Sequence, residues 1–105
     1  MAYTMGPQLL EICVLAIVAR KDAYGYILTQ QVKERLGISE SALYPVLRRL
    51  QAEGCLAVYD STYQGRNRRY YTITPGGRTR LAQGREDWTR FRKNVEYLLR
   101  EEEDG

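Results

Sequence analysis

The chain has 105 residues, a net charge of +3, two cysteines and no histidine, which suits one domain and not comfortably two. Lacking histidine, it lacks the commonest general base, the commonest metal ligand and any Ser–His or Cys–His pair, so enzyme and metal-centre readings are disfavoured from the start, and no cofactor is expected. No apolar run reaches the roughly 18–20 residues of a membrane span, residues 9–19 contain Glu11 and no small-residue cleavage pattern follows, so the expectation is a cytoplasmic protein without a membrane partner.

Pro7 suits a first helical turn, and Leu9, Leu10, Ile12, Cys13, Ala16 and Ile17 follow at helical spacing, predicting a first helix over 7–20. It is apolar on more than one face, as expected of a helix with more than one neighbour. Cys13 in this helix and Cys55 farther on have no metal-ligand spacing and read as inert buried thiols. Asp22 is a capping candidate for a second helix whose stripe is Tyr24, Leu28, Val32 and Leu36, with Gly37 at its left-handed C-terminal position.

Ser39 is an N-cap candidate for a third helix, with Ile38 and Leu43 as a hydrophobic staple. Leu43, Val46, Leu47 and Leu50 form its core face and Gly54 ends it. Helices two and three are therefore a tight helix-turn-helix. Pro45 removes one helical hydrogen bond, at a cost of about 3 kcal/mol in an ideal interior, so a bend or a frayed first turn is expected there.

Leu56 and Val58 then alternate, a polar stretch runs over 60–67, and 69–73 is rich in strand formers. This predicts a β-hairpin with a basic tip, a wing. Thr74 and Pro75 read as an N-cap and first-turn proline of a fourth helix. Along it, positions 81, 84, 88, 91, 95 and 98 are Leu, Gly, Trp, Phe, Val and Leu, a narrow heptad seam. Nothing in so short a chain can bury that seam except the first helix and a second copy, so a homodimer with twofold symmetry is expected through Leu81, Trp88, Phe91, Val95 and Leu98. The fold class is mainly α with a small β-hairpin: a winged helix-turn-helix over 1–74 plus a C-terminal dimerisation helix and acidic tail over 75–105.

Charge is unevenly spread. Residues 61–93 hold nine basic and two acidic side chains, the footprint of a polyanion partner. Opposite its core face, the third helix shows Ser41, Tyr44 and Arg48, which can contact phosphates and a guanine edge in a major groove. Arg66, Arg68 and Arg69 surround the hairpin tip, where arginine suits a narrow minor groove. Two other readings compete: a winged-helix protein-interaction module using the acidic residues Glu101 to Asp104, and a protein that binds aromatic compounds without touching DNA. The docking module has no need of Arg66, Arg68 and Arg69 together at one tip, and the aromatic-binding protein would be indifferent to Arg48→Ala.

Three stretches sharpen this. Tyr24-Gly25-Tyr26, the run Ser41-Ala42-Leu43-Tyr44-Pro45-Val46-Leu47-Arg48-Arg49-Leu50 with Glu53-Gly54, and Arg68-Arg69-Tyr70-Tyr71-Thr72-Ile73-Thr74-Pro75-Gly76-Gly77-Arg78 resemble the PadR family of bacterial transcriptional regulators, over roughly 9–99 and in the right order. The resemblance implies double-stranded DNA as partner and repression relieved by a small ligand such as a phenolic acid or a drug. It implies that Ser39, Ser41, Tyr44 and Arg48 belong to the recognition helix and Arg66, Arg68 and Arg69 to the wing. Trp88 matches a tryptophan that, in the multidrug-sensing branch, stacks on flat aromatic ligands between subunits. Read from the residues, Trp88 is either a seam residue or such a platform, with a gap lent by Gly84 and Asp87 favouring a cationic ligand. The stretch from Tyr24 to Tyr26 departs slightly from the family's common His-Gly-Tyr at that site.

Overall fold

The computed structural model describes residues 6–102. In chain order these form α1 (Pro7–Arg20), β1 (Ala23–Tyr24), α2 (Gly25–Leu36), α3 (Glu40–Ala52), β2 (Leu56–Tyr63), β3 (Arg66–Ile73) and α4 (Pro75–Leu99). The three strands make one antiparallel sheet in the order β1-β3-β2. Helices plus this small sheet are the winged-helix architecture that the periodicities called for.

One apolar cluster organises the body. Leu10, Val14, Leu15 and Val18 of α1 meet Leu28 and Val32 of α2, Leu43, Val46, Leu47 and Leu50 of α3, Leu56 and Tyr71 of the sheet, and Leu81 of α4. Each fully buried Leu or Val contributes about 1.5–3 kcal/mol relative to exposure. The central place of α1 explains why its apolar residues are not confined to one stripe.

The helix-turn-helix forms as its local signals require. Gly37 takes φ +68° and its N–H donates to the Lys33 carbonyl at 2.9 Å, closing α2. Three residues later α3 begins, with the Ser39 hydroxyl accepting from the Ala42 N–H at 3.3 Å. The four core-face residues expected of α3 are all buried. The helix is continuous through Pro45, which lies on its exposed side.

Four expectations need correction. Asp22 does not cap α2: Tyr24 is the N-cap residue and makes no side-chain cap, while the Asp22 carboxylate accepts a 2.7 Å hydrogen bond from the Tyr59 hydroxyl. Tyr24 is not in the α2 stripe; it belongs to β1, where Ala23 pairs with Tyr71 and Tyr24 with Tyr70. The wing is thus part of a three-stranded sheet. The polar stretch 60–67 is not an open tip but two strand ends, paired out to Tyr63 opposite Arg66. Only Gln64 and Gly65 turn, with φ +51° and +76°. Positive φ at both central residues is the requirement of a type I′ hairpin, whose twist matches that of the strands, and glycine meets it without steric cost. The fourth correction concerns Leu81, which is buried at 4 % exposure in its own chain and is not free for a partner.

Thr74 caps α4, its hydroxyl accepting from the Gly77 N–H at 3.0 Å. Gly77 and Gly84 then let α4 approach the body closely. A Cβ on Gly77 would stand 2.7 Å from Ile73 Cγ1, and one on Gly84 would stand 2.5 Å from Ile12 Cγ1. Beyond that, α4 leaves the body. The radius of gyration is 16.5 Å, against about 13 Å for a compact domain of this length, because the 25-residue helix overhangs. No helix among the described residues is long and apolar enough to cross a membrane.

Candidate nucleic-acid interface and effector groove

The exposed face of α3 follows directly from its buried one. With Leu43, Val46, Leu47 and Leu50 inward, Ser41, Tyr44 and Arg48 stand outward, Tyr44 at 42 % exposure. Ser39 has less freedom, because its hydroxyl caps the helix and lies 3.2 Å from the Ser41 hydroxyl. Between α3, the start of α2 and β3 is a hollow of about 330 Å³ lined by Tyr24, Gly25, Tyr26, Thr29, Glu40, Tyr44, Leu47, Arg69 and Tyr71. Burial pushes the Tyr71 phenol above its ordinary pKa, and the positive charges of Arg69 and Arg48 pull the other way. Recognition helix and wing therefore share one electrostatic neighbourhood.

The three wing arginines occupy different settings. Arg66 directly follows the turn and is exposed. Arg69 is exposed and lies 3.8 Å from the Asp60 carboxylate on the paired strand. The Arg68 guanidinium lies over the rings of Tyr24 and Tyr63, 4.5 and 4.2 Å from their centroids. They are not a loose cluster: alternation along β3 sends Arg66 and Arg68 to one face and Arg69 to the other.

A broad open groove of about 1180 Å³ lies on the other side of the body, where α1, the end of α3 and α4 meet. Gly84, Asp87 and Trp88 all line it, as does Phe91. Trp88 is 41 % and Phe91 62 % exposed, with ring centroids 6.4 Å apart. Gly84 does not supply the expected gap. The Ile12 side chain fills the space in front of it, so this glycine serves helix packing. Asp87 accepts from the Gln83 amide at 3.1 Å and lies 3.6 Å from Arg90, which offsets its charge.

Four charged residues that the sequence reading did not join line the same groove. Glu11 of α1, whose side chain is only 12 % exposed, is 2.6 Å from Arg49 of α3 and 3.6 Å from Arg80 of α4. Arg80 also donates to the carboxylate of Glu53, just past α3, and this bond raises its pKa further. One carboxylate thus holds guanidinium groups from the recognition helix and the overhanging helix. The partners are 38 and 69 positions from Glu11, out of reach of any local pattern. Tyr26, exposed beside the first hollow, was also assigned no role, although its place in Tyr24-Gly25-Tyr26 marked it.

Beyond Leu81, the remaining seam residues are open to solvent to different degrees. Trp88, Phe91 and Leu98 are exposed, Leu98 at 78 %, and Val95 is half-buried among them. The burial of the two cysteines also differs: Cys55 is buried, and Cys13 is half-buried with its thiol pKa pushed up by that burial. No group of side chains suited to a metal ion occurs among the described residues. Of the acidic tail, Glu103 and Asp104 lie outside the described residues.

Comparison with known proteins agrees with this geometry. The model of the transcriptional regulator PadR-like family matches residues 14–83. The transcriptional regulator Rv3488 of Mycobacterium tuberculosis is 37 % identical over 89 residues, covering 84 % of this chain and 77 % of that protein. The crystal structure of smu.1704 from Streptococcus mutans superposes with a TM-score of 0.87 at 34 % identity, covering 97 % of this chain and all of that one. The PadR-like transcriptional regulator BC4206 of Bacillus cereus superposes with a TM-score of 0.82 at 31 % identity, covering 90 % and 94 %.

Proposed function

The chain belongs to the PadR-like family and is a DNA-binding transcriptional regulator, not an enzyme; from that premise we propose that it is a homodimeric, cytoplasmic repressor whose grip on a pseudo-palindromic operator is relieved by a planar aromatic effector. One observation carries the dimer: α4 runs past the body with Trp88, Phe91 and Leu98 exposed along one seam. A single helix with such a stripe is stable in water when a second one covers it. Twofold symmetry then repeats the exposed face of α3. Two recognition helices in successive major grooves require half-sites about 34–36 Å apart.

In this reading Tyr44 and Arg48 contact base edges, and Ser39 and Ser41 contact backbone phosphates. Arg66, Arg68 and Arg69 hold the flanking backbone or minor groove. The effector lies against Trp88 in the groove, near the seam, with Asp87 at its rim. Arg49 of α3, ion-paired to Glu11, lines the same groove.

The test is titration of the protein into the DNA upstream of its own gene, against scrambled DNA, at two salt concentrations. Preferential, salt-sensitive binding is expected, because each phosphate neutralised releases counterions. The single tryptophan reports the effector arm: planar aromatics should quench Trp88 and weaken operator binding together. A folded dimer with no DNA preference and no quenching would refute both arms.

A further inference from the structure

The outward face of the wing sheet is built around one arginine. Register places Tyr24, Tyr70 and Tyr59 in a row across the three strands, with centroids 5.8 and 5.6 Å apart and rings inclined by 28° and 19°. On the same face, two residues toward the tip, Arg68 stands opposite Ser61, and Tyr63 stands opposite Arg66. The Arg68 guanidinium is therefore flanked by a ring from each neighbouring strand, Tyr24 of β1 and Tyr63 of β2. Arg69, Arg80, Arg90 and Arg92 all have a carboxylate within ion-pair distance; among the described residues Arg68 has none.

This arrangement has a chemical consequence. A guanidinium is planar: its two faces suit aromatic rings, and its edge carries the N–H donors. Two rings within 4.5 Å of the guanidinium carbon restrict its freedom, and no carboxylate among the described residues occupies its N–H donors. The edge is a fork that fits two oxygens of one phosphate. A free arginine on a hairpin tip must be ordered on binding, whereas this one is already held against two rings. No carboxylate competes for it, and Arg66 adds positive charge on the same face.

We propose that Tyr24 and Tyr63 are positioning residues that hold Arg68 as a preformed fork for one backbone phosphate of duplex DNA. The proposal rests on the wing lying against DNA, as in the reading above. It divides the wing arginines: Arg66 is a free charge on the same face, Arg69 stands on the other face beside Asp60, and Arg68 acts as a fixed charge.

The experiment measures duplex affinity between 50 and 200 mM salt for the unmodified protein, R68A, R68K and Y63L, with circular dichroism to confirm the fold. Tyr63 is 49 % exposed at the hairpin end, so Y63L leaves the core intact. R68A should lower the slope of log affinity against log salt by about 0.9, the value of one phosphate. Y63L should weaken binding about three- to tenfold with the slope unchanged, because charge remains and only order is lost. R68K should behave like Y63L. An unchanged slope in R68A, or unchanged affinity in Y63L, overturns the proposal. In the DNA-free protein, the Arg68 Nε–H resonance should be shifted upfield by the rings, and the shift should shrink in Y63L, where only the Tyr24 ring remains; no shift in the unmodified protein overturns the clamp whatever the DNA result. Failure of the unmodified protein to bind duplex, with the ring shift present, overturns the phosphate role together with the wing reading, and leaves a clamp with another purpose.

Discussion

Gly84→Ala gives the most direct test of how α4 joins the body. Alanine is the better helix former by about 1 kcal/mol, so an unhindered site would gain stability. The added methyl would stand 2.5 Å from Ile12 Cγ1 and closer still to Ile12 Cδ1. Ile12 is half-buried on α1, packed against the core on one side and lining the open groove on the other, so relieving the contact means moving it out of that packing. Forcing a methyl into such a contact costs about 1–3 kcal/mol. The net expectation is a loss of about 1 kcal/mol. Ile12→Ala alone should cost about 2 kcal/mol as a partly buried truncation. In the double variant the alanine methyl enters the vacated space, so the two changes should be less harmful together than their sum by about 1–2 kcal/mol. Urea unfolding at one fixed protomer concentration reads all four proteins, since dimerisation makes stability concentration-dependent. If Gly84→Ala stabilised by the full helix-propensity gain, or if the pair were additive, α1 and α4 would not be in close contact, and Gly84 would again be available as a ligand gap.

Three further outcomes are expected. Phe91→Asp should give a folded monomer in sedimentation, whereas Leu81→Ala should lose about 2–4 kcal/mol of stability and still dimerise; the reverse pattern would move the interface onto the first turns of α4. Tyr44→Ala and Arg48→Ala should lower affinity for the operator more than for random duplex; equal losses on both would make them phosphate contacts only. The Tyr59 phenol is raised above its ordinary pKa first by its hydrogen bond to Asp22, and Tyr71 first by burial. Groups raised in the folded state stabilise fully below the unfolded value near 10, and that stabilisation is lost as pH climbs through the folded values. Unfolding free energy should therefore fall as pH rises above about 10, less steeply in Tyr59→Phe, and an identical fall in that variant would show that the Asp22 bond does not hold the proton.

Elements set by nearby residues were legible in the chain. The limits of α1, the Ser39 cap, the α3 core face and the Thr74-Pro75 start of α4 each depend on side chains within a few positions. What escaped depends on pairing across the sequence. Ala23 and Tyr24 are a strand only because Tyr70 and Tyr71 lie beside them, and two residues carry no periodicity of their own. The same pairing takes Asp22 away from the helix and gives it to Tyr59. A heptad count registers where Leu81 sits on a helix, not that the core of its own chain already takes it up. Gly84 was seen as space, because a sequence shows that a side chain is missing and not what fills its place. The recognition face could be read as the complement of a buried stripe; the Glu11 cluster and the Arg68 clamp could not, since each joins three elements.

Those long-range contacts decide how the two halves of the molecule relate. α4 leaves the body at an angle fixed by Ile12 against Gly84 and by the close approach of Gly77 to the sheet. Glu11 adds a constraint of another kind. It is largely withdrawn from water and satisfied by Arg49 of α3 and Arg80 of α4 together, with Glu53 as second acceptor for Arg80. Removing either arginine would leave a partly buried carboxylate short of a partner, which is costlier than losing an exposed ion pair. A tilt of α4 that carries Arg80 away must therefore break its bonds to Glu11 and Glu53, or move Glu11 and with it the side chain of Arg49. Arg49 lies on α3 one residue past Arg48, so the cluster reaches the same helix that presents Tyr44 and Arg48 outward. Packing sets where α4 leaves the body, and the shared carboxylate adds a polar link between α4 and α3 that packing does not supply.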